Sequence, residues 1–190
     1  HPKLRDTVHP FEYNDFNNLK SLVERKNIGI IKMEVSRNFG PKNNFLQKVR
    51  KLCDEKNIIL IFDECTSGFR NCFGGLHKIF NVNPDLAMFG KALGNGHAVT
   101  AVLGKKDIME AAQKSFISST FWTERTGSVA GIATLNEMER IKSWEIITKT
   151  GKKIKKNWKK LSKSHNLKIS VSGLDALCSF SFQSSNSNKY

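Results

Sequence analysis

The chain has 190 residues and a formal charge of +14, from 31 Lys and Arg against 17 Asp and Glu. With 39% apolar and 25% charged residues it has the composition of a folded globular chain, which excludes an intrinsically disordered one. Its longest apolar run, Ile58 to Phe62, is far shorter than the roughly 20 residues of a membrane span, and no cationic-then-apolar leader opens it.

Asn14 or Asp15 caps a first expected helix through about Arg25, with Phe16, Leu19, Leu22 and Val23 on its apolar stripe. Gly29 to Val35 reads as a strand. Pro41 and the Asn43-Asn44 pair open a helix to about Asn57, with Phe45, Leu46, Val49 and Leu52 inward. Ile58 to Phe62 is a continuous apolar run, as expected of a strand covered on both faces. Gly68, Gly74 and Gly75 mark a loop, and Leu86 to Phe89 a short strand ending at Gly90.

Val99 to Leu103 reads as a strand closed by Gly104. Helices are expected from about Lys106 to Lys114 and Gly127 to Ile141, then in the lysine-rich stretch, with two short strands at Leu167 to Val171 and Leu177 to Phe182. The polar tail, Ser184 to Asn188, is expected to fray. Strands alternating with helices over the first two-thirds point to an α/β sheet with helices on its faces.

The net charge raises the question of a nucleic-acid partner, and its distribution answers against one. Nine lysines fall between Lys149 and Lys168 with no acid among them, while Ile146, Ile147, Ile154, Trp158 and Leu161 recur at helical spacing. That pattern is one amphipathic helix with a lysine-rich solvent face. Cys53, Cys65, Cys72 and Cys178 form no C-x-x-C pair and have no histidine at ligand spacing, so no zinc site and no other metal site is expected. Free thiols in a reducing, cytoplasmic setting are the ordinary reading. His77, His97 and His165 carry no pattern, and Arg70 reads as structural.

Ligands of open α/β sheets bind beyond the carboxyl ends of strands. Two polar groups are expected there: Asp63, which follows Ile58 to Phe62, and Lys91, which follows Leu86 to Phe89 and Gly90. On residue types alone, a buried ion pair between them explains both as well as a site does.

The surrounding residues carry more. The run Ile59-Leu60-Ile61-Phe62-Asp63-Glu64-Cys65-Thr66-Ser67-Gly68-Phe69-Arg70 closely resembles a segment of class III aminotransferases, pyridoxal-phosphate (PLP) enzymes of fold type I that include glutamate-1-semialdehyde aminomutase. The resemblance continues through Pro84-Asp85-Leu86, Gly90-Lys91-Ala92-Leu93-Gly94-Asn95-Gly96, Ser118-Ser119-Thr120-Phe121 and Ala133-Thr134-Leu135. It implies an α/β chain forming the second half of the large mixed-sheet domain, residues 1–142. Residues 143–190 would then be a connecting helix and the start of the small α+β domain.

The resemblance also assigns roles. Lys91 matches the lysine that forms the internal aldimine with pyridoxal 5'-phosphate and then moves a proton between substrate and cofactor carbons. Asp63 matches the carboxylate that pairs with the pyridine nitrogen. Cys65 stands where the family has Val or Ile against the ring, and serves as a small apolar substitute. Thr120 matches the hydroxyl that reaches the cofactor phosphate, usually from the neighbouring subunit. Glu34 stands where the family has Glu-Pro, but Val35 follows it, so the resemblance carries no role over to Glu34.

The family's phosphate loop and ring-stacking aromatic precede all these motifs, and the chain begins at His1. It is therefore expected to be a partial chain, binding PLP weakly alone and dimerising when complete. An amino donor and a carbonyl acceptor are the implied partners. Leu93-Gly94-Asn95-Gly96-His97 and Phe121-Trp122-Thr123-Glu124-Arg125 depart from the aminomutase pattern. The second run looks like enzymes of amino-sugar and surface-polysaccharide pathways, which makes such an aminotransferase the first expectation and an aminomutase acting on glutamate 1-semialdehyde the second. Binding of nucleic acid through the lysine face, and a non-catalytic remnant, are the readings of a different class.

Overall fold

The computed structural model describes residues 2, 5–36, 38–118, 120 and 123–183. Helix α1 (Phe16–Arg25) begins where Asp15 accepts the Asn18 amide on its side chain, as expected of an N-cap. Strand β1 (Ile30–Glu34) leads to α2 (Phe45–Lys56), and α2 returns the chain to β2 (Ile59–Asp63). Both ends of α2 are set by asparagines, Asn44 and Asn57, in left-handed conformation, which Asn tolerates better than most residues. A 3-10 turn (Leu76–Phe80) precedes β3 (Leu86–Phe89), and another (Lys91–Leu93) follows it.

Strands β1, β2 and β3 are parallel neighbours, and β4 (Ala101–Gly104) closes the sheet antiparallel to β3. The strand at the β4 position starts two residues later than Val99, because the turn after β3 extends through Val99, whose amide bonds the His97 carbonyl. The expected helix from Lys106 divides into α3 (Lys106–Glu110) and a 3-10 turn (Ala111–Lys114).

Every second residue of β1 to β3 points to one face of the sheet. On that face Ile31, Met33, Leu60 and Phe62 are buried together with Phe45, Leu46, Val49, Leu52 and Cys53 of α2. A smaller cluster of Phe69, Ala87, Phe89 and Leu93 continues the face under Leu135 and Met138 of α4 (Arg125–Ile141). The expectation that Ile58 to Phe62 is covered on both faces is not met. Leu60 and Phe62 are buried, whereas Ile59 and Ile61 are half-buried, because both clusters gather on the same face.

Lys142, in left-handed conformation, turns α4 into α5 (Ser143–Ser164). This is the lysine-rich helix, and most of its lysines do face solvent. Lys155 does not: its Nζ lies 2.7 Å from the Gly173 carbonyl and 3.0 Å from Asp175 Oδ1. The backbone comes so close beside it that a Cβ on Gly151 would sit 1.7 Å from the Asp175 carbonyl oxygen, so glycine is required there. Trp158 packs edge-on to Phe180 of the β5 (Ile169–Ser172) and β6 (Ser179–Phe182) hairpin at 5.0 Å. Ile146, Ile154 and Leu161, expected inward, are exposed. They lie beside the line of contact, which runs through Gly151, Lys155 and Trp158. The tail at 184–188 lies outside the described residues.

Candidate active site

The site is built from strand ends. Glu34 and Asp63 are register partners at the carboxyl ends of β1 and β2, and Asp63 faces Met88 of β3, whose strand ends one residue later. Beyond β2 the pairing persists for one residue, with the Glu64 amide bonded to the Met88 carbonyl at 2.9 Å. Beyond β3 the chain runs through the extended Gly90 into the short 3-10 turn that carries Lys91. A Cβ on Gly90 would lie 3.5 Å from Cys65 Sγ, which shows how near Cys65 comes to the start of that turn. Asp63, Cys65 and Lys91 are thus gathered at one edge of the sheet.

Lys91 has φ +43°, a left-handed conformation that costs a residue with a Cβ about 1–2 kcal/mol. Backbone strain of this kind concentrates at functional sites. The Lys91 Nζ donates to Thr66 Oγ1 at 3.0 Å. No bond joins it to Asp63, so the ion pair that residue types left open is not what places these two residues.

Asp63 pairs instead with Lys32 of β1, whose Nζ is 2.7 Å from Oδ2. Its other oxygen, Oδ1, accepts the Cys65 amide at 3.2 Å. Burial alone pushes the Asp63 carboxyl up, but the hydrogen bonds from Lys32 and from Cys65 outweigh it and hold the group below the ordinary carboxylate range. Burial and then the adjacent Asp63 push the Cys65 thiol up, which keeps it protonated at neutral pH.

Thr120 lies in an exposed turn, and no described contact ties it to Asp63 or Lys91. Phe121 and Trp122, which carry the expected departure from the aminomutase pattern, lie outside the described residues. Sequence reasoning missed Lys32 and Thr66. Lys32 has one signal, a single cation interrupting the apolar run of β1; Thr66 belongs to the run from Ile59 to Arg70, and its residue type alone points to no role.

The floor beneath the site is a buried carboxylate. Glu64 is fully buried and accepts the His77 amide at 2.9 Å, the His77 ring Nδ1 at 2.9 Å and the Ser67 hydroxyl. Burial raises its carboxyl, and the His77 and Ser67 bonds reverse that and lower it. His77 is therefore a structural partner that pins the loop from Ser67 to Leu76 against the end of β2.

Comparison with known proteins follows the same lines. A family model for class-III aminotransferases matches residues 31–190. The 3-aminobutyryl-CoA aminotransferase of Cloacimonas acidaminovorans is 36% identical over 181 residues, covering 90% of this chain and 44% of the relative. The glutamate-1-semialdehyde 2,1-aminomutase of Acetivibrio thermocellus is 38% identical over 161 residues, covering 80% of this chain and 38% of the relative. Among solved structures, the FumI protein of Sphingopyxis sp. MTA144, in its PLP internal aldimine form, has a TM-score of 0.91 at 23% identity, over 99% of this chain and 47% of that one. An ornithine aminotransferase of Plasmodium yoelii has a TM-score of 0.79 at 27% identity, over 91% of this chain and 48% of that one. The chain spans less than half the length of these relatives.

Proposed function

The chain belongs to the class-III aminotransferase family and has its fold type I architecture, and on that premise we propose that it carries the amine and the carboxylate of a pyridoxal 5'-phosphate site in a protein that transfers an amino group from a donor to a carbonyl acceptor. The observation that supports this most is the placement of Asp63 and Lys91 at the carboxyl ends of adjacent parallel strands, with Lys91 on a strained turn.

The donor set fits the cofactor. A protonated pyridine nitrogen is a cationic N–H donor, and Asp63 Oδ2 already accepts one cationic N–H donor in Lys32. The carboxylate remains ionised well below neutral pH, as that role requires. When bound, pyridoxal phosphate supplies an electron sink for the negative charge left on a substrate carbon that loses a proton. Asp63 would hold the ring N–H, and Cys65 would offer its thiol as a small packing surface. Lys91 would hold the cofactor through Nζ, and, once released by substrate, would take a proton at Nζ from one carbon and return it to another. Thr66 Oγ1 orients that amine. Thr120 would offer a hydroxyl to the phosphate, and the complete protein would work as a dimer.

Borohydride reduction of the full-length protein with pyridoxal phosphate, followed by peptide mapping, tests the assignment. A label on Lys91 is the expected result, and a label on another lysine refutes it. A second reading, the aminomutase, is favoured by relatives of that name at 38% identity. Formation of 5-aminolevulinate from glutamate 1-semialdehyde, with no external amino donor, would select it. The narrower reading, an acceptor drawn from amino-sugar or surface-polysaccharide precursors, rests on the run from Phe121 to Arg125.

A further inference from the structure

Lys32 is the feature the proposed chemistry does not use. In β1, Ile31 and Met33 are buried on the α2 side of the sheet, which turns Lys32 to the opposite face, the face of Asp63. There its ammonium takes Oδ2 at 2.7 Å, while the Cys65 amide takes Oδ1, so both oxygens of the proposed ring-nitrogen partner are engaged. The Lys32 side chain is 52% exposed against 23% for Asp63. A pair so open to water is weak, and a lysine on a flexible four-carbon stem can withdraw into solvent without disturbing the sheet.

Two cations cannot share Oδ2 without repelling each other. We propose that Lys32 is a placeholder cation, which keeps the Asp63 carboxylate oriented before the cofactor arrives, yields Oδ2 to the ring nitrogen on loading, and so competes with pyridoxal phosphate for Asp63. The inference rests on Asp63 being the ring-nitrogen partner. It makes Lys32 a positioning residue whose charge weakens cofactor binding and disfavours the proton on the ring nitrogen.

The test uses full-length protein freed of cofactor, as wild type and as Lys32→Met, Lys32→Arg and Asp63→Asn variants, titrated with pyridoxal phosphate by absorbance. Lys32→Met should lower Kd about three- to fivefold, the scale of a partly solvated ion pair, and Lys32→Arg, which keeps the charge, should stay near wild type. The nitrogen-15 signal of cofactor labelled at the ring nitrogen should move toward the protonated form in Lys32→Met. Far-UV circular dichroism checks that each variant is folded. Unchanged or weaker binding by Lys32→Met, with Asp63→Asn weakened, overturns the placeholder role and leaves Asp63 in place. Wild-type binding by Asp63→Asn removes Asp63 as the ring partner, and the Lys32 role with it.

Discussion

Asp85 offers the sharpest test of how the site's framework is held. It is 4% exposed, and its Oδ2 accepts the Leu60 amide at 2.7 Å and Arg50 Nη1 at 2.9 Å. Its Oδ1 accepts Lys105 Nζ at 2.6 Å. One side chain thus ties together the start of β2, the middle of α2 and the end of β4. In Asp85→Asn, the amide oxygen can still take the Leu60 amide, but the bond to Arg50 loses its charge assistance, a cost of about 1–2 kcal/mol. Lys105, mostly exposed, can turn to water. In Asp85→Ala the Leu60 amide is orphaned in the core, and the Arg50 guanidinium, 17% exposed, keeps only Asp54. That should cost about 3–5 kcal/mol.

For a chain of this size, about 3 °C per kcal/mol puts the thermal midpoints roughly 5 °C and 12 °C below wild type at pH 7. Circular dichroism melts would read them. The pH dependence gives a second check. Burial raises the Asp85 carboxyl, but the Leu60 amide, Lys105 and Arg50 lower it below its ordinary range. A depressed carboxylate stabilises the fold above its unfolded pKa and loses that contribution as pH falls through the folded value. The gap between wild type and Asp85→Asn should therefore be constant above about pH 5 and shrink below about pH 4. Equal costs for Asn and Ala, or an Ala cost under about 1 kcal/mol, would refute the reasoning.

Three further outcomes are expected. Because Lys91 sits at φ +43°, Lys91→Gly should melt about 3 °C higher than Lys91→Ala, the equivalent of about 1 kcal/mol of released strain, and equal midpoints would show that the turn stores none. Glu64→Gln can keep its amide oxygen for the two His77 donors and turn the Ser67 hydroxyl from donor to acceptor, so it loses the charge assistance alone and should cost about 1–2 kcal/mol by urea unfolding at pH 7. Since the Glu64 carboxyl is lowered, that gap should persist to about pH 4.5 and narrow only below it. Gly68→Ala would drive a Cβ to 2.7 Å from the Glu64 carbonyl oxygen and 2.9 Å from the Phe89 ring, and should lower the urea midpoint by the equivalent of about 1–3 kcal/mol.

Much of this molecule is written locally. The periods of Phe45, Leu46, Val49 and Leu52, the apolar run before Asp63 and the cap at Asp15 depend on neighbours within one or two turns, so the order of strands and helices follows from the residues themselves. The ends of β2 and β3 were legible for the same reason, and with them Asp63 and Lys91 as candidates. What residue types left open was whether those two bind each other. Tertiary structure answered by bringing Lys32 from 31 positions away to Asp63, and Thr66 to Lys91.

It also left one face of the sheet half-covered, ran β4 against β3, and drew Lys155 out of a solvent row onto Asp175. None of these has a local signature. A charged side chain on a strand or helix reads the same in sequence whether water or an opposite charge awaits it, and only the folded chain sets which partner lies within hydrogen-bonding reach.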